Sequence, residues 1–370
     1  MIEKNEFSGT GLERPDNVFK PVILDLKLER DRGLYNDLIA RELVSKTHNR
    51  IFEQLKELVK SRNPSVAFES ETQYQDYIVA ILQGVPEDEY GLWVYYPWNK
   101  SIVHVLPEDS FVELRTNRNR NKITLEEQQI LKSKVVGIVG LSVGQSIALT
   151  MAMERVCGEL RIADFDTVEL SNLNRLRTSL SNLGLNKTIV AAREIAEIDP
   201  FIKIEIFNEG LTEDNLETFF TNGRKIDLLV EVCDSIEVKL MSRFKARALR
   251  IPVVMDTNDR GMIDIERFDL EPDRSIFHGK LDSFLTHSGT IDYNASNRSA
   301  IFGALVSYDS LSDRMKDSMG QIRKSITSWP QLASSVVLGG AITTDISRRI
   351  LLDQHHNSGR FYVDLEQIIS

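Results

Sequence analysis

Cysteine is scarce: the 370-residue chain carries two, Cys157 and Cys233. With no C-x-x-C pair, neither a Cys₄ zinc site nor a disulfide framework can be assembled. The usage fits a reducing, cytoplasmic setting. Positive charge is also short, since 45 Lys and Arg against 55 Asp and Glu leave a net charge of −10. That balance disfavours bulk binding to nucleic acid or to anionic membranes. Long apolar runs are missing too. The opening MIEKNEFSGTGLERPDN has no apolar signal segment. One uncharged stretch reaches membrane-spanning length, VVGIVGLSVGQSIALTMAM over 135–153. It opens on β-branched residues and holds Gly137, Gly140, Ser142, Gly144, Gln145, Ser146 and Thr150, so it reads as strand, loop and helix rather than a membrane span. Internal repeats and low-complexity tracts are absent.

What is present is the composition of a soluble globular protein, 42% apolar and 27% charged. The length allows one large domain or two unequal ones. From Arg30 to Arg62, apolar residues including Leu34, Leu38, Leu55, Leu58 and Val59 recur at helical spacing, and Asn63-Pro64 ends the run. GLWVYY and SIVHVL flank PWNK as the arms of a β-hairpin. Residues 1–112 are therefore expected to form a small α+β module. Beyond the basic stretch RTNRNRNK, strands alternate with helices. VVGIVG, LRIADF, KIEIF, IDLLVEV and IPVVMD are separated by helical patterns near 145–157, 186–197, 213–222 and 237–249. Residues 113–370 are accordingly predicted to be an α/β domain, a Rossmann-like doubly wound, mostly parallel sheet.

The first strand runs into Gly140-Leu141-Ser142-Val143-Gly144-Gln145, a reduced version of G-x-G-x-x-G. Gly140 suits the tight turn, Ser142 stands where backbone approaches phosphate, and Gln145 replaces the glycine that packs helix on strand. Gly144, one residue earlier, is a substitute for that duty. Alone, the loop is equally an ordinary βα turn. LRIADF ends in Asp164, about 24 residues after Gly140, close to the roughly 20 of a ribose-binding acid; a carboxylate capping the next turn is the rival reading.

ADFDTVELSNLNR, 163–175, resembles the segment D-x-D-x-V-x-x-S-N-L-x-R of the ThiF/MoeB family of adenylating enzymes, relatives of the ubiquitin-activating enzymes. The likeness continues through Asn186-Lys187, LLVEVCDSIEVK, VVMDTNDRGMIDIERFDLEPD, the late helix in SWPQLASSVVLGGAITTDISRRIL and the closing RFYVDLEQI. It spans roughly 113–370 and resembles a bacterial subgroup with G-L-S-V-G loops, some of whose members are fused to a nitroreductase-like domain.

The resemblance implies ATP-dependent adenylation of a carboxylate. The acid would be the C-terminus of a ubiquitin-like protein or peptide, or a small molecule, and the products an acyl-adenylate and pyrophosphate. It implies that Asp164 holds the ribose, with Asp166 alongside in the nucleotide site, as are Gly140, Ser142 and Gly144. Asn172 and Arg175 would grip phosphates, Lys187 would neutralise them at a helix N-terminus, and Asp234 would anchor Mg²⁺. An arginine from RTNRNRNK, Arg120 or Arg118, would reach the phosphate site of a partner in a homodimer; a solvated basic linker is the alternative. No aromatic residue interleaves those charges, so a nucleic-acid platform is not expected.

Departures from the family pattern are specific. The glycine loop is reduced, Leu176 follows the motif arginine where relatives often have Gln, and zinc cysteines are missing, so no zinc is expected. No cysteine follows IERFDLEPD to carry a thioester. Cys157 and Cys233 read as packing. His278 and His287, in the Ser/Asp/Asn-rich segment from Asp273 to Ile326, are either substrate-facing or surface histidines. Two other functions stay open: a non-catalytic binding subunit with this fold, and an NAD-type oxidoreductase, the latter leaving S-N-L-N-R and Lys187 unexplained.

Overall fold

Four short strands, β1 (Val22–Leu24), β2 (Lys46–Asn49), β3 (Leu92–Tyr96) and β4 (Ser101–Val105), make a sheet in the order β1-β3-β4-β2. The computed structural model describes residues 15–287 and 289–369. Its chain divides into two compact units, Met1–Leu125 and Glu126–Ser370, and this sheet belongs to the first. β3 and β4 are the predicted hairpin, antiparallel with Val94 opposite Val103. The helical run expected over 30–62 is interrupted. Helices α1 (Glu29–Ala40) and α2 (Ile51–Arg62) are separated by β2, which pairs parallel with β4. Helices α3 (Thr72–Leu82) and α4 (Glu108–Arg115) complete the unit. Ile51, Leu55, Leu58, Val59, Tyr74, Ile78 and Leu106 form a core cluster in it, since α2 and α3 each offer apolar residues at helical spacing.

The chain passes through α5 (Leu125–Lys132) into the second unit. Here seven strands, β5 (Val135–Val139), β6 (Glu159–Ala163), β7 (Lys203–Phe207), β8 (Leu228–Glu231), β9 (Val253–Asp256), β10 (Met262–Glu266) and β11 (Gly359–Tyr362), lie in the order β11-β10-β9-β8-β5-β6-β7. β9 through β7 are parallel, and β10 and β11 add an antiparallel edge. Every residue of β5, β6, β8 and β9 is buried, as a parallel sheet covered on both faces requires. Helices α6 (Gly144–Glu154), α7 (Lys187–Ile198), α8 (Glu213–Thr221) and α9 (Ile236–Ala248) alternate with the strands as predicted. The segment after β10 holds two short helices, α10 (Arg298–Val306) and α11 (Asp313–Met319); α12 (Ala333–Leu351) and α13 (Leu365–Ile368) follow. α12 packs against α6 and the end of β9. Among the described residues, no helix is long and apolar enough to cross a membrane.

One topological fact sets the site. From β5 the chain winds one way through β6 and β7, then crosses back to β8 on the other side. In open α/β sheets, ligands enter the crevice outside the carboxyl ends of the strands at such a reversal.

Candidate functional site

The reversal is closed by backbone. Gly140 has φ +90°, and a Cβ there would sit 2.8 Å from both Cα and N of Cys233. Its N–H donates to the carbonyl of Ala163 at 2.9 Å, and Val232 N–H donates to Val139 at 2.9 Å. The ends of β5, β6 and β8 are thus stitched together where no side chain fits. Gly144 takes over the close packing that Gln145 cannot provide: a Cβ on it would meet Ile138 Cγ2 at 2.9 Å and Val232 Cγ2 at 3.2 Å.

Asp164, one residue past β6, is 8% exposed. Its Oδ2 accepts from Leu141 N–H at 2.6 Å and its Oδ1 from Asp166 N–H at 2.8 Å. Burial pushes this carboxyl above its ordinary value, while Lys187 and the two amides pull it back. Residues 166–168 then run antiparallel to 184–187: Val168 exchanges bonds with Gly184 and Leu185, and Lys187 N–H donates to Asp166 at 2.9 Å. Asn186 caps α7 by accepting from Thr188 N–H at 2.8 Å. This pairing brings Lys187, the first residue of α7, to Asp166, with Nζ donating to Oδ2 at 2.7 Å. Lys187 is 6% exposed.

The S-N-L-N-R segment is a short 3₁₀ turn, Leu170–Asn174. Asn172 spends its carbonyl oxygen on the turn, accepting from Glu169 N–H at 3.1 Å. Leu176, the departure noted after the motif arginine, is buried with Val168 and Val190 and anchors the turn's exit. Between these anchors Arg175 reaches back to the loop. Its Nε and Nη2 donate to Ser142 Oγ at 3.1 and 2.9 Å, and Nη1 donates to Asn174 Oδ1 at 2.8 Å. Burial lowers the proton affinity of Arg175, opposed by the charge of Asp234. Asp234 itself is exposed just beyond β8. The next residue, Ser235, caps α9 by accepting from Val238 N–H at 3.3 Å.

Gly140, Ser142, Gly144, Asp164, Asp166, Asn172, Arg175, Lys187 and Asp234 therefore gather at the carboxyl ends of β5, β6 and β8. Arg118 and Arg120 are exposed residues of the N-terminal unit, within and just after a 3₁₀ turn. His278 is half-buried, with Nε2 3.0 Å from Oδ2 of the buried Asp264 and Nδ1 2.9 Å from Arg274 Nη2. His287 is exposed. Cys157 is buried, and burial pushes its thiol up to about 12. Cys233 is half-buried against Glu231, and burial first, then that carboxylate, raise its thiol well above the ordinary value. Neither is poised as a thiolate.

Two supporting groups carry no signal in the sequence. Glu231, at the end of β8, is fully buried and takes Cys233 N–H at 3.0 Å, Lys239 at 2.9 Å and Arg243. Gln145 is 3% exposed and bonds Glu194 on α7 and the backbone of Arg177. A buried charge inside LLVEV, or a glutamine at a helix start, gives no sign of its distant partner. Among the described residues no cluster of three or more His, Cys, Asp or Glu side chains could hold a metal.

The chain is 37% identical over 309 residues to "Uncharacterized protein MT1398" of Mycobacterium tuberculosis (strain CDC 1551 / Oshkosh), covering 82% of this chain and 42% of that protein. Over 125 residues it is 31% identical to "Ubiquitin-like modifier-activating enzyme 5" of Drosophila willistoni, covering 31% of each. The chain thus spans less than half the length of these relatives. The solved E. coli tRNA N6-threonylcarbamoyladenosine dehydratase TcdA in complex with AMP is similar at 16% identity and a TM-score of 0.48, over 68% of this chain and 98% of that one. The model of the ThiF family matches residues 116–352, which hold strands β5 to β10 and the candidate site, and the chain belongs to the ThiF family.

Proposed function

We propose that this chain adenylates a carboxylate at the expense of ATP. One observation carries the reading: Asp164 and Arg175 bond to consecutive residues, Leu141 and Ser142, of a single loop at the sheet's reversal. A carboxylate suited to ribose hydroxyls and a guanidinium suited to phosphate are thereby set on either side of one backbone turn.

In the reaction, an oxygen of the substrate carboxylate attacks the α-phosphorus of ATP. The bond from that phosphorus to the oxygen bridging to the β-phosphate breaks, and pyrophosphate leaves with the electron pair. Negative charge grows on the leaving group, so fixed cations lower the barrier. Arg175 rests on a neutral hydroxyl, and a phosphate oxygen is the stronger, charge-assisted acceptor. Lys187 adds a second cation at the start of α7, where the helix dipole has the same sign. Asp164 keeps its amide partners, because each carboxylate oxygen has a further lone pair for a ribose hydroxyl. Asp166 holds Lys187 in place. Mg²⁺ would neutralise the phosphates; the exposed hard oxygen donors of Asp234 fit an ion that completes its shell with water and phosphate.

The finer parts of the proposal are a cytoplasmic homodimer in which Arg120 or Arg118 serves the partner's site, an N-terminal module over 1–112 that recognises the acid or builds the dimer, and direct transfer of the acyl-adenylate without a cysteine thioester. The test is exchange of labelled pyrophosphate into ATP with candidate acids, using Arg175→Ala and Asp234→Ala as controls. Exchange that survives both substitutions defeats the assignment. A second reading, a non-catalytic binding subunit, draws on the internal partners of the site, Asp164 on two backbone amides and Lys187 on Asp166, which leave it self-satisfied. Thermal unfolding that Mg-ATP and AMP at millimolar concentration leave unshifted would favour it.

A further inference from the structure

The loop's least expected residue is Gln145, a carboxamide where close helix packing calls for glycine. Because Gly144 does that packing, Gln145 is released for another task. Its side chain is buried, and a buried carboxamide must place its donors and acceptor. Oε1 accepts from Arg177 N–H at 3.1 Å. Nε2 donates to Glu194 Oε2 at 2.6 Å and, more weakly, to the carbonyl of Arg177 at 3.4 Å. Since the Arg177 N–H can only donate, the carboxamide has one orientation, with its oxygen toward that amide. Thr178 also donates to Glu194 and in turn accepts from Asn182 Nδ2 at 2.9 Å. The loop and helix start thus run beside the strand of chain after the 3₁₀ turn, joined by two clamps. One is Ser142 to the side chain of Arg175; the other is Gln145 to the backbone of Arg177.

We infer that Gln145, oriented by Glu194, is a positioning residue for Arg175. By gripping both polar groups of the Arg177 backbone, it fixes the main chain from which the guanidinium projects over Ser142. Its kinetic consequence rests on the adenylation reading; its structural consequence does not. A guanidinium misplaced by about 1 Å costs on the order of 100-fold in a step that depends on alignment.

The experiment exploits the pair's polarity. At pH 8 and above, where Glu194 has lost its proton, Gln145→Glu sets a second carboxylate against it. The double variant Gln145→Glu/Glu194→Gln reverses donor and acceptor, restoring the bond between the side chains and leaving an acceptor for Arg177 N–H. Gln145→Met, of similar volume but without polar atoms, is the companion should Gln145→Glu fail to fold. Two readouts are taken on the full chain: amide hydrogen exchange of a peptide spanning 171–182, and pyrophosphate exchange resolved into kcat and KM for ATP. The single variants should lose protection at 175–178 and about 10- to 100-fold in kcat with KM changed far less, and the double variant should recover both. Unchanged protection at 175–178 in the single variants, or a double variant no better than Gln145→Glu, overturns the inference. A wild-type chain with no pyrophosphate exchange would refute adenylation alone, because hydrogen exchange still decides the positioning.

Discussion

The guanidinium of Arg175 meets the hydroxyl of Ser142 through two nitrogens, at 2.9 and 3.1 Å, one residue from the amide that Leu141 gives to Asp164. A charged group held by a neutral oxygen is stored rather than spent. It stays in register with the loop and can exchange its partner for an anion.

That arrangement ranks two substitutions. Arg175→Ala removes the cation and should lower kcat/KM for pyrophosphate exchange by roughly 100-fold or more, the usual scale for a donor aimed at developing charge. Ser142→Ala removes only the resting partner and should cost about tenfold or less. Arg175→Lys should not rescue, since an ammonium lacks the planar fork. Equal losses in Ser142→Ala and Arg175→Ala would contradict the ranking.

The two loop glycines predict an order of stability. At Gly140 an added Cβ faces Cys233 backbone at 2.8 Å with φ +90°, and neither the strand end nor the dihedral can yield. Gly140→Ala should cost roughly 2–5 kcal/mol. At Gly144 the obstructing atoms are methyl groups of Ile138 and Val232, so Gly144→Ala should cost about 1–3 kcal/mol. Urea unfolding of the two variants checks the order, and Gly144→Ala proving the worse would refute it.

Much of this was legible in the sequence because it rests on local chemistry. A glycine ending one strand, an acid ending the next and Asn186 before a helix are visible in the chain itself, although Gly140 is constrained by the distant Cys233 and Asp164 bonds the distant Leu141. Other elements depend on distant partners. β2 is KTHN, fully exposed; only parallel pairing to β4, over 50 residues on, makes it a strand. α3 buries just Tyr74 and Ile78 and exposes Val79, which hides its amphipathic pattern. The charges at Glu231 and Arg243 look like surface residues until the fold buries both.

Arg243 shows what such burial implies. It pairs with Glu231 and Glu266, the last residues of β8 and β10, and lies 3.9 Å from the ring of Phe277, and all three charged groups are inaccessible. Removing one partner strands the others in low dielectric. Arg243→Ala should therefore lose about 3–5 kcal/mol, against much less for a surface arginine. Since Glu231 also holds Cys233 N–H, the strand end beside Asp234 should loosen, seen as faster hydrogen exchange at 232–234. A loss under about 1 kcal/mol would mean the triad contributes nothing specific.

Glu194 supplies the pH dependence. Burial pushes its carboxyl up to about 7 from an ordinary 4.5, helped by Glu197 and opposed by the bonds from Thr178 and Gln145. Between those two values the folded chain holds a proton that the unfolded chain has released. Stability from this group is therefore complete below about pH 4.5 and falls as pH rises through about 7, a change of up to roughly 3 kcal/mol. Asp256, pushed up to about 6 by burial from 3.8, slopes the same way over a lower range, so the two must be separated by substitution. Glu194→Gln cannot ionise yet keeps an oxygen for Gln145 Nε2. The difference in urea midpoint between wild type and Glu194→Gln should shift in favour of the variant from pH 5 to pH 8, with most of the change centred between 5 and 7. A difference that stays flat across that window would show that Glu194 is ionised throughout and that burial does not govern it.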